Sequence, residues 1–84
     1  MSAVQWADPA KRSFARFQKD DPRGADLLLD SINLLAKNPQ PAGAHSYGGD
    51  EFRIHVGLYR VLYRIVSRNP LILAVEHIGR ANTA

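Results

Sequence analysis

The hydrophobic period changes once along the chain, and that change limits the fold more than any other feature. Up to Asn38 the apolar residues recur at helical spacing, whereas from Glu51 onward they come in short runs rich in valine, isoleucine, leucine and tyrosine. Between the two regimes lies "PQPAGAHSYGGD", dense in proline and glycine, which reads as a loop. With 84 residues there is room for one domain, because folding at this size hides only roughly two-thirds of the surface an unfolded chain exposes. Residues 1–84 therefore form a single α+β domain.

Local signals place the elements. "AVQW" is a short extended N-terminal strand. Asp8 can cap the free amides of a first turn and Pro9 suits the first helical position, so a helix starts there, with Ala10, Phe14 and Phe17 facing the core. The same device recurs: Asp21 caps, Pro22 opens, and Pro39 stops a longer helix at Lys37 or Asn38. Ala25, Leu28, Ile32 and Leu35 make its buried stripe, which Leu27, Leu29 and Leu34 widen. The two helices form a hairpin. Residues 51–56, 59–66 and 71–78 are strands; Gly57 and Leu58 fit a two-residue turn with glycine first, and "SRNP" fits the next turn. The expected order is strand, helical hairpin, then a three-stranded antiparallel meander, with both helices packed on one face of the sheet.

Composition removes several function classes. There is no cysteine, hence no disulfide framework and no thiolate metal site, and a reducing compartment is the simple reading. The three histidines are scattered, with no HExxH spacing, so no metal is expected; no glycine-rich phosphate loop or other cofactor motif occurs. "MSAVQWADPA" is not a basic start leading into a long apolar run, and no stretch is long enough to span a bilayer, which makes a cytoplasmic protein the expectation. Net charge is only +3, but it is unevenly placed. Arg53, Arg60, Arg64 and Arg68 lie between Phe52 and Leu71 with no acid among them, while Lys11, Arg12, Arg16 and Lys19 cluster on the first helix. Such clusters are either solvated faces or contacts for nucleic acid.

The stretch "FRIHVGLYRVLY", residues 52–63, concentrates the chemistry. Alternation sends Ile54 and Val56 to the helices, and Arg53 and His55 to the opposite face. Arg60, just past the hairpin, falls beside them. Neighbouring arginines repel unless solvent or an anion screens them, and guanidinium forks match phosphate oxygens. On a further strand, alternation places Glu76 with Arg80 and puts His77 on the other face. His45 and Tyr47 sit in the loop without an evident role, and Tyr59 and Tyr63 read as packing residues.

"FRIHVGLYRVLYRI", the last-strand ending "VEHIGR" and the "LLAKNPQP" that closes the helical hairpin resemble the RelE/ParE superfamily of toxins from bacterial type II toxin–antitoxin pairs, over nearly the whole chain. The resemblance implies a ribosome-dependent, metal-independent mRNA endoribonuclease, or mRNA interferase, that inhibits translation. Its partners would be the ribosome, mRNA and a cognate antitoxin. It also places Arg53 and His55 at paired basic positions and Arg60 at the phosphate-stabilising arginine. "IGRANTA" departs from the pattern: Ala81 stands where many nuclease members have a second basic residue, and no tyrosine follows Tyr63.

Such a nuclease needs a proton acceptor for the ribose 2′-hydroxyl, cations for the charge that builds on phosphorus, and an acid for the leaving 5′-oxygen. Arg53, Arg60 and Arg80 supply cations; arginine stays protonated, so His55 is the base candidate, with Glu76 as an auxiliary acid or base. Lys11, Arg12, Arg16, Lys19, Arg64 and Arg68 are the expected RNA and ribosome contacts. The competing readings are a ParE-like inhibitor of DNA gyrase and an inactive regulatory binding module of the same fold.

Overall fold

The structure is a computed structural model that describes residues 2–80; Ala81 lies outside the described residues. In chain order the elements are β1 (Ser2–Trp6), α1 (Asp8–Asp20), α2 (Pro22–Leu35), β2 (His45–Gly48), β3 (Glu51–Val56), β4 (Tyr59–Arg68) and β5 (Leu71–Arg80). They make one five-stranded sheet in the order β1-β5-β4-β3-β2, with β1 parallel to β5 and the remaining pairs antiparallel. The expected meander is its centre. Two features differ from expectation: the N-terminal strand joins the sheet beside β5, and the supposed loop contains an extra strand, β2, at the opposite edge.

Both helices cover the same sheet face. β4 alternates Tyr59, Val61, Tyr63 and Ile65 into the core, where they meet Phe52, Ile54 and Val56 of β3 and Leu73, Val75 and Ile78 of β5. Ala10 of α1 and Leu28, Ile32 and Leu35 of α2 close this layer, with Phe14 and Phe17 packed against it. Tyr59 and Tyr63 are packing residues as expected, and each hydroxyl finds an oxygen: Tyr63 donates to the Pro39 carbonyl at 2.7 Å, Tyr59 to the Asp21 carboxylate at 2.9 Å. Burial pushes the Tyr63 phenol up.

The helix ends follow the sequence only in part. Asp21 caps α2, its Oδ1 accepting from the Gly24 amide at 3.1 Å. Asp8 does not cap α1; Ala7 holds the N-cap position with no side-chain bond, and Asp8 stands in the first turn, where a carboxylate favours the helix dipole. α2 ends at Leu35 rather than Lys37 or Asn38, although Lys37 and Asn38 still donate to the Leu34 carbonyl in a final turn. Leu27, Leu29 and Leu34 do not widen the buried stripe: they are 51%, 39% and 62% exposed. The buried stripe of α2 is limited to Ala25, Leu28, Ile32 and Leu35, and the flanking leucines lie outside it.

Asp21 is also the hub of a cluster joining the helical hairpin to the sheet. Its carboxylate takes the Gly24 amide and the Tyr59 hydroxyl, and the Tyr59 oxygen in turn accepts from Arg80 at 3.3 Å. The Arg80 guanidinium lies over the rings of Phe17 and Tyr59, 5.6 and 5.5 Å from their centres. A Cβ on Gly24 would collide with the Asp21 carboxylate and stand 2.9 Å from the Tyr59 ring, so only glycine fits beneath the cap.

Two outcomes are expected. Alanine in place of glycine ordinarily stabilises a helix interior by roughly 0.5–1 kcal/mol, but Gly24→Ala should reverse that sign, lowering the thermal midpoint by several degrees as the cap is forced out; an unchanged or raised midpoint in a melting experiment contradicts the packing. The Gly24 amide first, then the Tyr59 hydroxyl and the Arg80 charge, hold the Asp21 carboxyl below its ordinary value. A depressed carboxylate stabilises fully above its unfolded value, about 3.9, and that contribution is lost as pH falls through the folded one. Melting curves from pH 5 down to pH 2 should therefore fall more steeply for the parent than for Asp21→Asn, which keeps a capping side chain but does not titrate; parallel curves would contradict it.

Candidate functional site

The sheet face that the helices leave open carries the chemistry, and strand register sets its layout. One row across the sheet reads His55, Arg60, Gly79; the next reads His45, Arg53, Leu62, His77; a third reads Glu51, Arg64, Ala74. All three histidines of the chain thus face the same side as Arg53 and Arg60. A shallow groove of about 360 Å³ runs among Tyr47, Arg53, Arg60, Leu62, His77 and Gly79. Its floor stays open beside Arg60 because the cross-strand neighbour is Gly79, where an added Cβ would meet nothing within 4 Å.

Bulges decide which side chains reach this groove. Between the pairs Leu62↔His77 and Tyr63↔Val75 the last strand carries one extra residue, Glu76. That insertion reverses the expected alternation. His77 turns onto the open face beside Leu62, and Arg80 falls opposite Tyr59 on the helix side, in the Asp21 cluster. Arg80 is thus not a member of the groove. Glu76 shares the open face but leans to Arg64, 3.5 Å away.

The predicted cations divide by partner. Arg64 faces Glu76 and Arg68 faces Asp50 at 2.8 Å, both in exposed ion pairs of small energetic value. Lys11, Arg12, Arg16 and Lys19 are exposed on α1, in the helix layer and apart from the groove. Arg53 and Arg60 have no carboxylate partner among the described residues. The Arg53 Nε is buried with no acceptor, an arrangement that costs about 1–3 kcal/mol in a folded protein. His55 stands directly across from Arg60, near the edge of the sheet.

Tyr47, to which the sequence alone gives no role, also lines the groove. It is the extra residue of a second bulge, between the pairs Ser46↔Phe52 and Gly48↔Glu51, and the Arg53 guanidinium lies 5.3 Å from its ring centre. Gly48 and Gly49, at φ +113° and +56°, supply the left-handed backbone that this turn requires. A signal was present: Gly49-Asp50, set between two extended runs, has the form of a two-residue hairpin turn.

A larger groove, about 570 Å³, opens between the C-terminal half of α2, residues 41–43 and the edge of β3, and is lined mainly by Leu34, Leu35, Pro41, Ile54 and Val56. No helix among the described residues is long and apolar enough to cross a membrane.

Solved structures share this arrangement. A YoeB/ParE toxin from Agrobacterium tumefaciens superposes with a TM-score of 0.80 at 17% identity, over 93% of this chain and 96% of that one. The archaeal RelE–RelB complex from Pyrococcus horikoshii OT3 gives 0.76 at 17% identity, over 99% and 98%. The isolated E. coli RelE toxin gives 0.77 at 14% identity, over 96% and 85%. At such identities the likeness is one of fold. No curated protein matches the sequence. The family model of the ParE toxin of the type II toxin–antitoxin system parDE matches residues 4–82. By that match and by its fold, the chain belongs to the RelE/ParE superfamily of type II toxins.

Proposed function

We propose that this toxin is a ribosome-dependent mRNA endoribonuclease acting from the open sheet face. The observation that carries the reading is the groove itself: two arginines without carboxylate partners among the described residues and an imidazole share one concavity with an exposed aromatic ring. A gyrase inhibitor has no need of a proton acceptor beside its arginines. The ParE description of the family model is what favours that second reading.

In the proposed reaction the ribose 2′-oxygen attacks the adjacent phosphorus while the bond to the 5′-oxygen breaks. His77, which lines the groove, takes the 2′-hydroxyl proton in place of His55, the base expected from the sequence, and His55, in register with Arg60 although it lines the neighbouring groove, gives a proton to the departing 5′-oxygen. The products are a 2′,3′-cyclic phosphate and a 5′-hydroxyl. Arg60 and Arg53 hold the non-bridging oxygens, where negative charge accumulates; a preorganised contact of this kind is worth roughly a hundredfold in rate. Glu76, bound up with Arg64, and Arg80, bound up with Tyr59, act on the scaffold rather than on phosphorus. The α1 cations and Arg68 are left to make ribosome contacts.

The partner proposed for the apolar side is a cognate antitoxin. RelE–RelB of Pyrococcus horikoshii OT3 and RelBE2 of Mycobacterium tuberculosis were solved as toxin–antitoxin complexes. Here Leu34 is exposed on the lining of the larger groove, an apolar surface suited to an amphipathic segment.

Single-turnover cleavage on programmed ribosomes tests the nuclease. Arg60→Ala should cut the rate by roughly a hundredfold, and Arg60→Lys should restore little because an ammonium lacks the fork. His77→Ala and His55→Ala should each lower the rate by roughly a hundredfold or more, the scale of losing a positioned acid or base. Unchanged rates would remove these residues from the site; intact mRNA with trapped double-strand breaks in DNA would select gyrase. For the partner, Leu34→Glu should weaken binding of the adjacent gene's product at least tenfold in a titration while leaving the thermal midpoint nearly unchanged, as surface substitutions do. Equal affinity would move the antitoxin off this groove.

A further inference from the structure

We infer that Tyr47 is a positioning residue that stacks on a nucleobase of the RNA strand and so sets which phosphate reaches Arg60. The assignment rests on the nuclease reading and deepens it.

Tyr47 is large, aromatic and 55% exposed, on a surface where most large apolar side chains are buried. It is not loose. The guanidinium of Arg53 sits 5.3 Å from its ring centre, the Ser46 hydroxyl accepts the Gly48 amide at 3.1 Å, and the Gly48–Gly49 backbone fixes the turn behind it. Because Tyr47 is the extra residue of the bulge, it is released from the strand pairing that governs its neighbours. The bulge forgoes a regular rung of the ladder and presents a ring at the mouth of the cationic groove.

An exposed ring beside unpaired arginines suits a ligand that is flat at one end and anionic at the other. A nucleotide has that shape, with a π-face and a phosphate. Tyr47 is on β2 and Arg60 on β4, two strand spacings apart, or about 10 Å, which is the scale of a base and a neighbouring backbone phosphate. Arg53 lies between them, its charge under the ring and beside the path of the backbone. Stacking on an aromatic ring is sequence-tolerant, so Tyr47 fixes register along the strand more than base identity.

Ribosomes programmed with an mRNA carrying either an intact or an abasic nucleotide at successive A-site positions provide the test, with single-turnover rate as the first readout. On the intact codon Tyr47→Ala should lose roughly five- to a hundredfold, the range found when an aromatic stacking partner is removed, and Tyr47→Phe should rescue most of it, because the ring and not the hydroxyl does the stacking. At one abasic position the parent should fall to the level of Tyr47→Ala, and Tyr47→Ala should fall no further. Parent-like cleavage by Tyr47→Ala, or losses that simply multiply at every abasic position, overturns the inference. The second readout is affinity for a fluorophore-labelled oligoribonucleotide with a 2′-deoxy residue at the cut position. If the parent leaves intact codons uncut yet loses this affinity in Tyr47→Ala, the nuclease reading fails and the stacking contact stands. If it cuts nothing and affinity is the same in both, both fall.

Discussion

The alternation of β4 from Tyr59 to Ile65, unbroken until the register shifts between Ile65 and Ser67, is the constraint on which the rest of the molecule hangs. Tyr59, Val61, Tyr63 and Ile65 are buried under the helices, so Arg60, Leu62 and Arg64 must face away from them. A slip of one residue would bury two arginines and expose two tyrosines, each of whose hydroxyls is bonded to the helical hairpin or the loop after it. β3 and β5 are registered on this strand, and their arginine and histidines gather around Leu62 for that reason. The cationic face is thus a consequence of the core. That Arg53 and Arg60 have no carboxylate partner among the described residues, when Arg64 and Arg68 both have one in reach, is not.

Strong local chemistry was legible in the sequence, and breaks in regularity were not. The Asp21-Pro22 helix start, the Gly57-Leu58 hairpin and the alternating faces of β3 and β4 all follow from rules that act within a few residues. Gly57 at φ +59° shows the hairpin rule at work. The same rules put Arg53, His55 and Arg60 on the face that the helices leave open. The bulge at Glu76 has no such signature, since "AVEHI" reads as a plain strand, and one extra residue is enough to exchange His77 for Arg80. β2 was missed because its four residues are all exposed, leaving no hydrophobic pattern to read. The exposed leucines of α2 are a different failure: periodicity tells which residues share a helix face, not how much of that face is buried.

Two arginines illustrate how placement decides role. Arg80 and Arg60 are neighbours in register, one residue apart on the paired strands β4 and β5, yet they emerge on opposite sides. Arg80 is committed to Tyr59, Phe17 and the Asp21 charge, where its contribution is to hold the hairpin to the sheet. Arg60 has no such commitment and faces a groove kept open by Gly79. The superfamily fold serves both nucleases and gyrase inhibitors, so function has to be argued from the free groups and not from the architecture. The free groups here are two guanidiniums, imidazoles and a ring, a set that matches a phosphodiester and its bases.

On the proposed reading, this open face breaks RNA by internal attack of a 2′-oxygen. The most direct measurement is the chemistry of the new ends: mRNA recovered from ribosomes after brief induction of the toxin, with the termini on both sides of each cut identified. A 2′,3′-cyclic phosphate upstream and a 5′-hydroxyl downstream, clustered within A-site codons, is the result that this account requires. Cuts that leave a 3′-hydroxyl and a 5′-phosphate, or mRNA that stays whole while growth stops, would contradict it.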